Sequence, residues 1–175
     1  MKKEHKPFLD IFLRYVFLFA IGIPNLWIFY FIFTPLTVYP VYLLFKMLYP
    51  TVLAGNVIIL NGSVPIELVK SCIAGSAYYL ILILNFSTPK INFQKRMFIL
   101  ISGFLVLLFF NVVRIFLLGM IFLNGFSWFV ITHEFFWYFM STIFVAGIWF
   151  SEVYFFRIKE IPFYSDIKLL YKHSR

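Results

Sequence analysis

Cys72 is the only cysteine in this 175-residue chain, and it stands at the start of an apolar run. The thiolate is the reactive form of a cysteine, and a nearby cation or a helix N-terminus favours it. Arg114 supplies a permanent cation that is too basic to act as a general base. It is suited instead to hold a thiolate or to stabilise the oxyanion of a tetrahedral intermediate. His133 can take the thiol proton and return it to a leaving group. One nucleophile, one acid/base and one fixed cation are the parts that acyl transfer requires. Asn111 precedes Arg114 by three residues and so shares its helical face, as a positioning residue.

Each of these residues also has a plainer reading. A lone buried cysteine is commonly a small apolar filler. A histidine at the start of a helix is commonly interfacial, and an intramembrane arginine can be structural glue, paired with Asn111 or Glu134. A single cysteine offers no partner for ordinary disulfide exchange. Cys72 with His133 provides too few ligands for a structural zinc site, so no metal is expected.

The elements that would position these residues follow from composition. The chain is 63% hydrophobic and 23% aromatic, and only 13% of its residues are charged. Soluble domains carry about 25% charged residues, and a small soluble core cannot absorb the apolar excess. A bilayer can. The expected fold is an all-α polytopic membrane protein, a single domain over residues 1–175 with about four transmembrane helices. A span needs about 20 mostly apolar residues. Spans are expected at about 8–33, 70–88, 97–123 and 133–156, followed by a cytoplasmic tail over 157–175. The first run is too long for the core of a cleavable signal peptide and lacks a small-residue cleavage site after it. Arg14, near its start, is expected to snorkel toward the headgroups.

The net charge of +8 concerns topology before nucleic acid, for which no binding is expected. Lys2, Lys3 and Lys6 precede the first span. Lys90, Lys95 and Arg96 lie between the second and third, and Arg157, Lys159, Lys168, Lys172 and Arg175 follow the fourth. Four spans put all three groups on one side, which the positive-inside rule makes cytoplasmic. Both termini are then inside a cell membrane, and only Lys46 and Lys70 are left outside. The segment 34–50 is broken by Pro35, Pro40 and Pro50, and is expected as an interfacial helix or hairpin on the outer surface. Asn61-Gly62 lies between β-prone runs and predicts an extracytoplasmic β-hairpin over about 56–68.

This topology places Cys72 and His133 at the outer ends of their spans, and Arg114 within two to three turns of the outer end of its own. An ionisable residue inside a span is costly and points to function. The topology rests on loop charges alone, so the common depth of Cys72, Arg114 and His133 is an independent coincidence.

Three motifs in this order are Cys72-Ile73-Ala74-Gly75, Asn111-Val112-Val113-Arg114, and then His133. Over about residues 56–149 the chain resembles the exosortase/archaeosortase family of membrane cysteine proteases and transpeptidases. It departs from the family's common Cys-Ser/Thr-Gly pattern, because its glycine falls one residue later. It looks like a short, archaeal-type member. The resemblance implies that Cys72 is the nucleophile, Arg114 the thiolate or oxyanion partner and His133 the acid/base, with no cofactor. It implies secreted protein substrates carrying a C-terminal sorting signal, which consists of a short motif, a transmembrane helix and a basic tail. The cleaved protein would pass to a surface acceptor such as a membrane lipid amine, or to water.

Two other functions fit parts of the sequence. A rhomboid-like intramembrane serine protease would use Ser76 with His133, although Ala74-Gly75-Ser76-Ala77 lacks the Gly-x-Ser-Gly pattern. A non-catalytic scaffold or transporter would use Arg114 for binding.

Overall fold

The computed structural model describes residues 5–23, 25–125, 131, 134–135 and 141–173. The chain is mostly helical, with one small sheet. Helix α1 runs over His5–Gly22 and α2 over Trp27–Lys46. Strands β1 (Thr51–Ala54), β2 (Val57–Leu60) and β3 (Val64–Glu67) follow. Then come a single turn, α3 (Lys70–Ile73), and the helices α4 (Gly75–Phe86), α5 (Phe93–Leu123), α6 (Ser141–Phe155) and α7 (Tyr164–His173). Two of these helices, α2 and α5, are long and apolar enough to cross a membrane.

Helix α5 is the axis of the packing. Its buried residues include Arg96, Gly103, Asn111, Arg114 and Gly119, while Phe98, Ile101, Leu105, Phe109 and Leu117 are exposed. Water-soluble helices are arranged the other way, with charge outward and apolar bulk inward. Helix α4 runs antiparallel to α5: Asn111 meets the backbone at Cys72, Gly103 packs by Ile81, and Asn85 meets Arg96. Helix α6 is antiparallel as well, through Phe110–Phe144, Ser102–Glu152 and Phe98–Phe156. Helix α2 runs parallel to α5, since Phe33 meets Phe104 and Phe45 meets Phe116. The sheet therefore lies at the same end of the bundle as the C-terminus of α5. The loop between α4 and α5 lies at the opposite end.

Several boundaries differ from the sequence expectation. The run 8–33 is two helices rather than one. The first ends at Gly22 and the second begins at Trp27, and between them Asn25 and Leu26 take left-handed conformations with φ of 52° and 57°. Conversely, Pro35 and Pro40 do not stop α2, so the segment expected as an interfacial element continues the helix that starts at Trp27 and ends at Lys46. A proline removes one helical hydrogen bond, but packing against neighbouring helices lets an apolar helix tolerate it. Here Thr37, Val38, Val41 and Phe45 are all buried.

The hairpin expected over 56–68 is present and carries an extra strand, making an antiparallel sheet of order β1-β2-β3. Asn61 and Gly62 form its second turn with φ of 52° and 69°, as their tolerance of positive φ predicts. Ile58 and Leu60 turn one face of β2 into the core. Pro65 sits on β3, an edge strand, where its missing N–H is tolerated.

At the opposite end, the expected tail contains α7, which docks on α1. Asp166 is buried and accepts from the guanidinium of Arg14 and, at 2.9 Å, from the hydroxyl of Tyr15. Arg14 thus has a protein partner rather than only a path to the headgroups. Arg96, read from the sequence as a loop charge, is buried. It donates to the carbonyls of Asn85 and, at 2.7 Å, Thr88, tying off the last turn of α4.

Candidate active site

The local backbone at Cys72 is set by Ala74. This alanine adopts a left-handed conformation, φ 60° and ψ 38°, which separates the single turn α3 from α4. The conformation costs a non-glycine residue about 1–2 kcal/mol. The expected span over 70–88 is therefore interrupted two residues after Cys72. The long helix begins at Gly75, so Cys72 does not stand at its N-terminus. The Cys72 amide already donates to the Val69 carbonyl at 2.8 Å. A one-turn helix has little dipole to offer a thiolate.

The break leaves backbone carbonyls in an apolar bundle, where each must find a donor. Asn111 supplies them. Its side-chain amide donates to the Cys72 carbonyl at 2.9 Å and reaches the Ile73 carbonyl at 3.4 Å. The Arg114 Nη2 donates to the same Cys72 carbonyl at 3.4 Å. Both side chains are buried on one face of α5, as their three-residue spacing predicts. Arg114 also lies within electrostatic reach of the Cys72 thiol and of the Tyr78 hydroxyl. The structure thus brings Cys72, Asn111 and Arg114 together.

His133 lies outside the described residues. Its neighbour Glu134 is described and exposed. Ser76 is also exposed, on the far side of the Ala74 break from the half-buried Cys72.

Small residues and aromatic rings close the site. A Cβ on Gly75 would fall 2.7 Å from the ring of Tyr30, so glycine is needed for α2 to approach here. The Lys70 ammonium lies 5.5 Å from the centroid of that same ring, adding a second cation beside the cysteine turn.

Tyr78 was not legible as a site residue. It is fully buried, stacked on Phe33 with ring centroids 3.5 Å apart, and its hydroxyl has no hydrogen-bond partner among the described residues. The available signal is position: tyrosine favours the membrane interface, whereas Tyr78 and Tyr79 fall inside an apolar run. Tyr79 turns to α1 and donates to the Leu18 carbonyl at 2.9 Å. Among the described residues, no cluster of three His, Cys, Asp or Glu side chains forms that could hold a metal ion.

No family model, curated protein or solved structure matches the chain.

Proposed function

We propose that the chain is a membrane cysteine endopeptidase or transpeptidase of the exosortase/archaeosortase kind, acting on secreted proteins with a C-terminal transmembrane sorting signal. The observation that carries this reading is the convergence of Asn111 and Arg114, from one buried face of α5, on the backbone of Cys72. Structural packing does not require a thiol at that point, and acyl transfer does.

In the proposed reaction the Cys72 thiol gives its proton to His133 and its sulfur attacks the scissile carbonyl. Arg114, which is held beside Cys72, stabilises the developing oxyanion. The carbonyl re-forms as the C–N bond breaks, and the leaving amine takes the proton from His133. The resulting thioester is resolved by an amine, such as that of a membrane lipid, or by water.

The proposed setting is a four-span topology in a cell membrane with both termini cytoplasmic. Helices α1 and α2 together make the first crossing, α4 the second, α5 the third and α6 part of the fourth. Charge supports this arrangement: Lys90, Lys95, Arg157 and Lys159 surround one cavity at the end opposite the sheet. The outward apolar faces of α2 and α5 support it too. Cys72 is then near the outer face.

The test co-expresses a secreted protein ending in motif, helix and basic tail with wild type or Cys72→Ala. Processing by wild type alone is expected; equal processing by both excludes cysteine catalysis. A second reading, a non-catalytic scaffold, draws on the fact that Asn111 and Arg114 contact carbonyls, as a backbone splint would. It requires Cys72→Ala to be silent while Arg114→Ala is not.

A further inference from the structure

The structure points to a second site, about nine residues along α5 from Asn111, the residue that meets Cys72. A cavity of about 590 Å³ lies between α5 and α6, lined by Val106, Phe110, Phe144, Gly147 and Phe155 among others. Among the described residues its one acidic group is Glu152, which is 6% exposed. One carboxylate oxygen, Oε1, is 3.4 Å from the Ser102 hydroxyl. The other, Oε2, has no hydrogen-bond partner among the described residues. Gly103 makes room for the carboxyl, since a Cβ there would fall 2.6 Å from Oε1. On the facing helix, a Cβ at Gly147 would meet no described atom within 4 Å, so the groove is open at that point.

A buried carboxyl with a free acceptor, in a groove lined mostly by apolar side chains, is an incomplete hydrogen-bonding site. An acyl chain would fill the volume and leave that acceptor unmet. A helix carrying a donor side chain at this depth fills both needs. The groove reaches toward the cysteine site along α5, where its Phe110 lies one helical turn below Arg114.

We propose that this groove receives the transmembrane helix of the substrate, and that Glu152 recognises a hydrogen-bond-donating side chain on it. This rests on the sorting-peptidase reading above. Ser102, which meets Glu152, is nine residues from Asn111, which meets Cys72. At 1.5 Å per residue that is about 14 Å of depth. A substrate helix entering at Cys72 would therefore present its donor about nine residues beyond the scissile bond.

The test uses the full-length protein in lipid vesicles, with a photoreactive phenylalanine analogue at position Phe155. The probes are leucine–alanine transmembrane peptides that differ at one position: lysine or leucine nine residues from the outer end. Wild type is expected to crosslink the lysine peptide about fivefold more than the leucine peptide. Glu152→Leu is expected to crosslink both alike. A third peptide, with its lysine four residues from the outer end, should behave as the leucine peptide does; this comparison needs no Glu152 variant to fold.

Equal crosslinking of all peptides by wild type overturns the proposal. So does a lysine preference that survives Glu152→Leu, or crosslinking of the groove to a second copy of the chain without peptide. Crosslinking needs no cleavage, so it is repeated in Cys72→Ala. A preference there, with Cys72→Ala also silent in processing, would sink the peptidase and leave the groove standing.

Discussion

The side-chain amide of Asn111 donates to the backbone carbonyl of Cys72 at 2.9 Å, so a residue of α5 fixes the turn that carries the thiol. The carbonyl needs this donor because Ala74 ends the helical ladder two residues later. An unsatisfied buried acceptor costs about 1–3 kcal/mol. Asn111→Leu should therefore slow substrate cleavage by about 10- to 100-fold, because the turn holding the thiol relaxes. The alkylation rate of Cys72 by a small maleimide should change in the same variant. Unchanged cleavage and unchanged alkylation would mean that the turn is held by other contacts.

Arg114 lies near the thiol and bonds the same carbonyl, and both tasks depend on its planar, multiple donors. Lysine keeps the charge but offers one compact ammonium. Arg114→Lys is expected to lower cleavage by about 100-fold, in the range seen on removal of an oxyanion donor. Its thermal stability should fall less than that of Arg114→Leu, which removes the charge and every donor. Retention of full activity by Arg114→Lys would restrict the role of Arg114 to charge.

The polar residues of α5 were legible in the sequence because Asn111 and Arg114 interrupt an otherwise apolar run, and their spacing gave their shared face. Glu152 carries the same kind of signal, a carboxyl within an apolar run, and its groove depends on Gly103 and Gly147 in ways that no spacing displays. The break at Ala74 was illegible for a different reason. Alanine is the best intrinsic helix former, and only tertiary partners for the freed carbonyls make its left-handed conformation tolerable. Proline misled as well: Pro35 and Pro40 stay inside a helix because α2 is packed. Arg96 resembled a loop charge because it stands beside Lys95, but it turns inward onto carbonyls of α4.

At the end of the bundle opposite the sheet, Lys90 donates to Glu160 at 2.7 Å. That hydrogen bond holds the Glu160 carboxyl below the ordinary carboxylate range. A carboxyl whose pKa is depressed on folding adds stability above its unfolded value of about 4.3. That contribution is lost as pH falls through the lower folded value. The pair is exposed, so the effect is small. Lys90→Ala should lower the melting temperature at pH 6 by about 1–2 °C, and the difference should shrink as pH falls below about 4.3. A gap that persists undiminished at pH 3 would assign the effect to something other than this pair.

Arg14 and Asp166 join α1 to α7 through an ion pair whose side chains are 16% and 5% exposed. Tyr15 adds a hydrogen bond to the same carboxylate, and its ring stacks on Phe163. Removing one partner of a buried pair strands the other charge, at a cost of about 3–5 kcal/mol, with the lower figure fitting a pair that still touches solvent. Asp166→Ala should therefore lower the melting temperature by about 6–12 °C in a chain of this length. Arg14→Leu combined with Asp166→Leu removes both charges and should recover much of that loss. Tyr15→Phe deletes one hydrogen bond and should cost only about 1 kcal/mol. The double variant separates pairing from mere packing. If it is as unstable as the sum of its parts, the two residues do not interact and α7 is held to α1 by its aromatic contacts alone.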